Sequence, residues 1–80
     1  MDNTLLVSKT LGFPHLMRIA EGMSYKHDSV IIKARGKQIQ RAVEVAVMLQ
    51  ERGRGLISNT EYGADNDGTH IPSISIVLTV

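Results

Sequence analysis

Apolar and polar positions along this chain fall into six segments with distinct periods. Leu5-Leu6-Val7 is a short apolar run ahead of a Lys9-Thr10-Leu11-Gly12 turn, and predicts a first strand. Pro14 suits the first turn of a helix, where its missing N–H costs nothing. Leu16, Ile19, Ala20 and Met23 follow at i, i+3, i+4 and i+7, one helical face. No strong N-cap residue precedes Pro14, and Gly22 weakens this helix by about 1 kcal/mol relative to alanine. His27-Asp28-Ser29 is a polar break. Val30-Ile31-Ile32 is β-branched and apolar throughout, the pattern of a central strand buried on both faces. Ala34-Arg35-Gly36 reads as the turn out of it.

From Lys37 to Arg52 the helical period is the clearest in the chain, with no internal glycine or proline. Gly53 and Gly55 are C-cap candidates, and Arg52 and Arg54 suit the negative end of the helix dipole. At 100° per residue, Ile39, Ala42, Val43, Val45, Ala46, Val47 and Leu49 span an arc of roughly 200°, interrupted by Gln38 and Gln50. A helix lying on one sheet needs an apolar stripe only somewhat wider than about 100°. The surplus calls for cover, either from the first helix beside it or from a second subunit, and the sequence leaves both open. Leu56-Ile57 begins a third strand running towards Tyr62. Asp65-Asn66-Asp67-Gly68 is a turn signal. Ile74, Ile76, Leu78 and Val80 alternate with Ser75, Val77 and Thr79, a half-buried last strand. The expected fold is therefore α/β, of the two-layer α+β kind. Its order is βαβαββ, with a mixed four-stranded sheet, two helices on one face and an extended hairpin of the third and fourth strands. Residues 1–80 are expected to form a single domain, with no repeat or linker.

Composition narrows this picture. An 80-residue domain buries only about 60–65% of its unfolded surface, so association would help it. Aromatics are 4% of residues, so the core must be aliphatic and base stacking has few rings to use: Phe13, Tyr25 and Tyr62. The chain has no cysteine, which removes disulfides, thiolate nucleophiles and cysteine-ligated zinc. No apolar run approaches the roughly 20 residues that span a bilayer, and Met1-Asp2-Asn3-Thr4 lacks the basic start of a secretory signal. No membrane partner is expected.

The formal charge of +1 conceals a strong asymmetry. Residues 1–32 carry Lys9, Arg18 and Lys26 against Asp2, Glu21 and Asp28. Residues 33–54 carry Lys33, Arg35, Lys37, Arg41, Arg52 and Arg54 against only Glu44 and Glu51. Residues 55–80 carry Glu61, Asp65 and Asp67 and no lysine or arginine. A local basic patch attracts polyanions even near net neutrality. In extended chain Lys33, Arg35 and Lys37 would share one side. Cations with open backbone amides at a helix start can bind phosphate through both charge and N–H donors. The competing reading is that these are solvating charges flanking an apolar strand.

Enzyme chemistry has little to work with. His15, His27 and His70 show no metal-ligand spacing. The segment Asp65–His70 is similar to a calcium loop only in outline, since its glycine is at the wrong offset and the closing glutamate is missing. Ser8 and Ser24 lack a nucleophile-elbow context, and no phosphate loop of Walker type is present. No cofactor, metal or small-molecule substrate is expected.

The string Ile31-Ile-Lys-Ala-Arg-Gly-Lys-Gln-Ile-Gln-Arg-Ala-Val43 resembles the signature stretch of the Alba family, small archaeal and eukaryotic DNA- and RNA-binding proteins. The likeness runs from Leu5 to Val80, with matching element order. It implies sequence-independent binding of DNA or RNA by a homodimer built on the long helices and hairpins, in chromatin or RNA packaging, cytoplasmic or on the chromosome. A subunit role in a ribonucleoprotein such as ribonuclease P is the alternative. By position, Lys9 falls where members carry a backbone-contacting lysine whose acetylation weakens binding. Lys33, Arg35 and Lys37 fall on the family's basic loop. Arg41 lies one helical turn further and is expected either to reach phosphate or to pair with Glu44. The chain departs from the family in three places. Thr10 stands where a second lysine is common. The hairpin tip from Glu61 to His70 is acidic where the arms of DNA-coating members are basic. Gly53 stands where some members use a bulky aromatic to join dimers into fibres.

Overall fold

A computed structural model describes residues 3–65 and 71–80. The expected turn at Asn66-Asp67-Gly68 and His70 lie outside the described residues. Seven elements follow in order: strand β1 (Thr4–Leu6), helix α1 (Phe13–Lys26), strand β2 (Ser29–Arg35), a 3-10 turn (Gly36–Gln38), helix α2 (Ile39–Glu51), and strands β3 (Leu56–Asp65) and β4 (Ile71–Thr79). The strands form one sheet in the order β1-β2-β4-β3. β1 runs parallel to β2, and the β2–β4 and β4–β3 pairs are antiparallel, so the sheet is mixed. The long β3–β4 hairpin stretches the molecule to 38 Å against 25 and 24 Å in the other directions.

Both helices pack on one face of the sheet. Leu5, Val30, Ile32, Ala34, Ile74, Ile76 and Leu78 point into that layer and meet Leu16, Met17 and Ala20 of α1 and Ala42, Val45, Ala46 and Leu49 of α2. The core is aliphatic, as the composition requires. The α1 stripe is centred slightly off its expected position: Met17 and Ser24 are buried, while Ile19 and Met23 pack at its margin. Ser24 tolerates burial because its hydroxyl donates to the Glu21 carbonyl at 2.6 Å, the back-bond open to serine inside a helix. Helix α1 has Gly12 at its N-cap with no side-chain cap, as expected from the residues before Pro14.

Three expectations are corrected. β2 is not buried on both faces: Val30, Ile32 and Ala34 face the helices, but Ile31 is half-covered and Lys33 and Arg35 are exposed on the far face. The strand also runs on through Ala34 and Arg35, and the chain turns only at Gly36, whose φ of +61° suits glycine. Val80 lies past the end of β4 and is exposed, so the buried alternation stops at Leu78. Helix α2 ends in a Schellman arrangement. The Arg54 amide donates to the Leu49 carbonyl at 2.9 Å and the Gly53 amide to Gln50 at 3.1 Å, with Gly53 at φ +72°.

Candidate nucleic-acid interface

The topology brings Lys9, Lys33, Arg35 and Lys37 towards one end of the molecule. β1 and β2 are parallel, and each leads through a short connection into a helix. The crevice beyond the carboxyl ends of such strands is where ligands of α/β sheets collect. Helices α1 and α2 both begin there, with no acidic residue in either first turn. Their N-terminal dipoles thus favour an anion without an internal competitor.

Lys9 sits exposed in the β1–α1 connection. That connection is held by short-range bonds: the Ser8 and Thr10 hydroxyls lie 2.7 Å apart, the Thr10 amide donates to Ser8 Oγ at 3.1 Å, and the Leu11 amide to the Ser8 carbonyl at 3.3 Å. Thr10, where a second lysine was the family expectation, is thus part of the turn that presents Lys9. The Val7 amide donates to the Lys33 carbonyl at 2.9 Å, which docks the end of β1 beside the end of β2. Lys33 and Arg35 project from the helix-free face of β2, and Lys37 is exposed on the 3-10 turn. Lys33 and Arg35 share a side as extended-chain geometry requires, whereas Lys37 has left the strand.

Arg41 behaves differently from the other four cations. It is partly buried, and its guanidinium bridges the two connections. Nη1 donates to the Ser8 carbonyl at 3.0 Å and to Gln38 Oε1 at 2.9 Å. Nη2 donates to the Leu11 carbonyl. Glu44, its expected ion partner, instead accepts from Gln40 Nε2 at 3.5 Å. Arg41 therefore fastens the Lys9 connection to the start of α2. Arginine suits this task because its planar fork reaches several acceptors at once.

Several features lay beyond the sequence reading. Glu61 is placed by the β3–β4 register opposite Ser75, which in turn faces Lys33. An acidic side chain thus shares the open sheet face with the basic ones. A bulge between Ile57 and Asn59 resets the strand alternation, so no simple period could have placed Glu61. At the far end of the helices, Arg52 pairs with Glu21, and the Arg54 guanidinium stacks 4.1 Å above the Tyr25 ring. Those two cations are tied into helix packing. Phe13 packs against the core, whereas Tyr25 and Tyr62 are exposed.

On the outer side of α2, Val43 and Val47 remain 37% and 39% exposed, one helical turn apart. Helix α1 covers only part of the wide apolar arc. Among the described residues no helix is long and apolar enough to cross a membrane, and no cluster of His, Cys, Asp or Glu is arranged to hold a metal ion.

Comparison with known proteins places this arrangement. A family model described as Alba matches residues 3–65. The DNA/RNA-binding protein Alba of Methanoculleus marisnigri is 32% identical over 85 residues, covering 98% of this chain and 93% of that protein. Among solved structures, ALBA1 from Trypanosoma brucei superposes with a TM-score of 0.83 at 20% identity, over 96% of this chain and 68% of that one. Alba from Thermoplasma volcanium gives a TM-score of 0.77 at 21% identity, over 96% of this chain and 99% of its own. At those identities the two structures speak for the fold.

Proposed function

This chain belongs to the Alba family, and from that premise we propose that it binds DNA or RNA irrespective of sequence, as a homodimer, through phosphate contacts. Lys9, Lys33, Arg35 and Lys37 contact the phosphates, and Arg41 holds the Lys9 connection in register with them. The observation that carries this reading is the convergence of these four exposed cations at the end of the sheet where both helices begin. The name of the Methanoculleus marisnigri relative supports it. No catalytic step, cofactor or small-molecule substrate forms part of it. The role is packaging of chromatin or RNA, at the chromosome or in the cytoplasm, with Lys9 as a site where acetylation weakens binding.

Val43 and Val47 support the homodimer. They extend the apolar surface of α2 beyond what α1 covers, as a helix needs when a second helix packs on it. The same valines serve the alternative, a subunit of a ribonucleoprotein such as ribonuclease P, if their partner is a different chain. Gel filtration of the pure protein separates the two.

Phosphate contacts carry affinity rather than sequence information. The double variant Arg35→Ala with Lys37→Ala should therefore weaken binding to all sequences alike. The log–log salt slope should flatten by about 0.9 per lost duplex contact, or about 0.7 on single strands. Filter binding indistinguishable from that of the unaltered protein would remove the assignment.

A further inference from the structure

The helix-free face of the sheet carries a trough of about 530 Å³ that runs across the strands. That size falls within the roughly 300–1,000 Å³ of small-ligand sites. Strand pairing lays two rows of side chains along it. One row is Leu6, Lys33, Ser75 and Glu61, and the next is Arg35, Ser73 and Gly63. The floor is made of small residues, Ser73, Ser75 and Gly63. A Cβ added to Gly63 would stand 3.4 Å from Ser73 Oγ, so even an alanine would begin to raise that floor. Lys33 and Arg35 form one wall and Glu61 the other. With strands about 4.8 Å apart, the walls stand about 10 Å from each other across β4.

This cross-section has a cation wall, a hydroxyl floor and an acceptor wall. It is too narrow for a duplex, and it suits one nucleotide that has left its pair. We propose that the trough takes an unpaired nucleotide of a single-stranded region. Its phosphate lies against Lys33 and Arg35, its base lies over Ser73 and Ser75, and its exocyclic amine donates to the Glu61 carboxylate. Cytosine, adenine and guanine carry such an amine, whereas uracil and thymine do not. A carboxylate beside a phosphate site lowers affinity for polyanions in general. Glu61 Oε1 already accepts from Asn59 Nδ2 at 3.2 Å, and its remaining acceptor capacity is repaid where the ligand brings a donor, as carboxylates are when they accept from cytosine N4. Glu61 thereby makes the open face selective for amine-bearing bases. This inference rests on the nucleic-acid reading above and adds to it a position that senses base identity.

The test compares short oligocytidine and oligouridine strands, as RNA and as DNA with thymidine replacing uridine, beside a duplex control. Binding is read by fluorescence anisotropy at about 50 mM salt, where phosphate contacts are strong. The unaltered protein should prefer oligocytidine by about fivefold or more, the lower end of what one good base contact supplies. Glu61→Ala should bring that ratio near one, chiefly by tightening oligouridine binding. Ser75→Leu fills the floor on an open sheet face beside Val77. It should weaken both single strands and leave duplex binding unchanged, with a melting temperature recorded for each variant. Equal binding of the two strands by the unaltered protein overturns the proposal, as does a preference that survives Glu61→Ala. Loss of the preference with duplex binding intact, or its absence from the start, leaves the phosphate-binding reading standing. Failure to bind any nucleic acid overturns both.

Discussion

Removing Arg41 separates a phosphate ligand from a structural clamp. The side chain donates to the carbonyls of Ser8 and Leu11 and to Gln38 Oε1. Hydrogen bonds from charged donors contribute about 1.5–3 kcal/mol each. Partial burial and the entropy of a long side chain reduce that sum, so Arg41→Ala should cost about 2–4 kcal/mol. A domain of this length has only about 4–12 kcal/mol in total, and each kcal/mol shifts its melting temperature by about 4–8 °C. The melting temperature should therefore fall by about 8–32 °C. Arg41→Lys keeps the charge but offers one compact ammonium in place of a fork, so it should recover little of that loss. In salt titrations on a Lys9→Ala background, well below the melting transition, Arg41→Ala should leave the slope unchanged, because the proposed contacts of Lys33, Arg35 and Lys37 do not depend on the clamp. A direct phosphate ligand would lower the slope by about 0.9 per contact on duplex. If Arg41→Lys melts like the unaltered protein while Arg41→Ala flattens the salt slope, the clamp assignment is wrong.

Two further outcomes follow from other parts of the fold. Val43→Asp with Val47→Asp places two charges on the α2 surface assigned to the proposed homodimer. It should halve the mass seen by light scattering while circular dichroism stays native, and an unchanged dimer would place the interface elsewhere. Gly53→Phe installs an aromatic at φ +72°. Left-handed strain on a non-glycine residue costs about 1–2 kcal/mol, so the melting temperature should drop by about 4–16 °C; no drop would mean that the helix end rearranges freely.

Much of the architecture was legible in the sequence because periodicity reports burial directly. The alternation of Ile74, Ile76 and Leu78 and the long run of α2 both mark faces turned to one core. The pattern failed where one face of an element meets no other layer. Lys33 and Arg35 interrupt an apolar run and so resemble a turn, yet on an open sheet face polar residues continue a strand without penalty. The site divides in the same way. Lys9, Lys33, Arg35 and Lys37 stand out as charges on short segments, so composition and spacing find them. The role of Arg41 depends on backbone carbonyls 33 and 30 residues away, which no local pattern encodes. Glu61 was grouped with an acidic hairpin tip, and only the cross-strand register through Ser75 sets it against Lys33.

β1 is only three residues long and lies at the sheet edge, joined to β2 alone. Beyond its parallel ladder with β2 and the buried Leu5 and Val7 side chains, it is moored by the Asn3 side chain on Ser29, the Ile31 amide on the Asn3 carbonyl, and the Val7 amide on Lys33. Short edge segments open at far lower free energy than the interior of a domain. When this one frays, Lys9 stays tethered through Arg41 on the Ser8 and Leu11 carbonyls but loses its register with Lys33, while Lys33, Arg35 and Lys37 keep their places. The fraction of time the edge is closed therefore enters the observed affinity. On the proposed reading, a phosphate chain bridging Lys9 and Lys33 should act as a splint and slow deuterium uptake at Leu5 and Val7 although it touches neither.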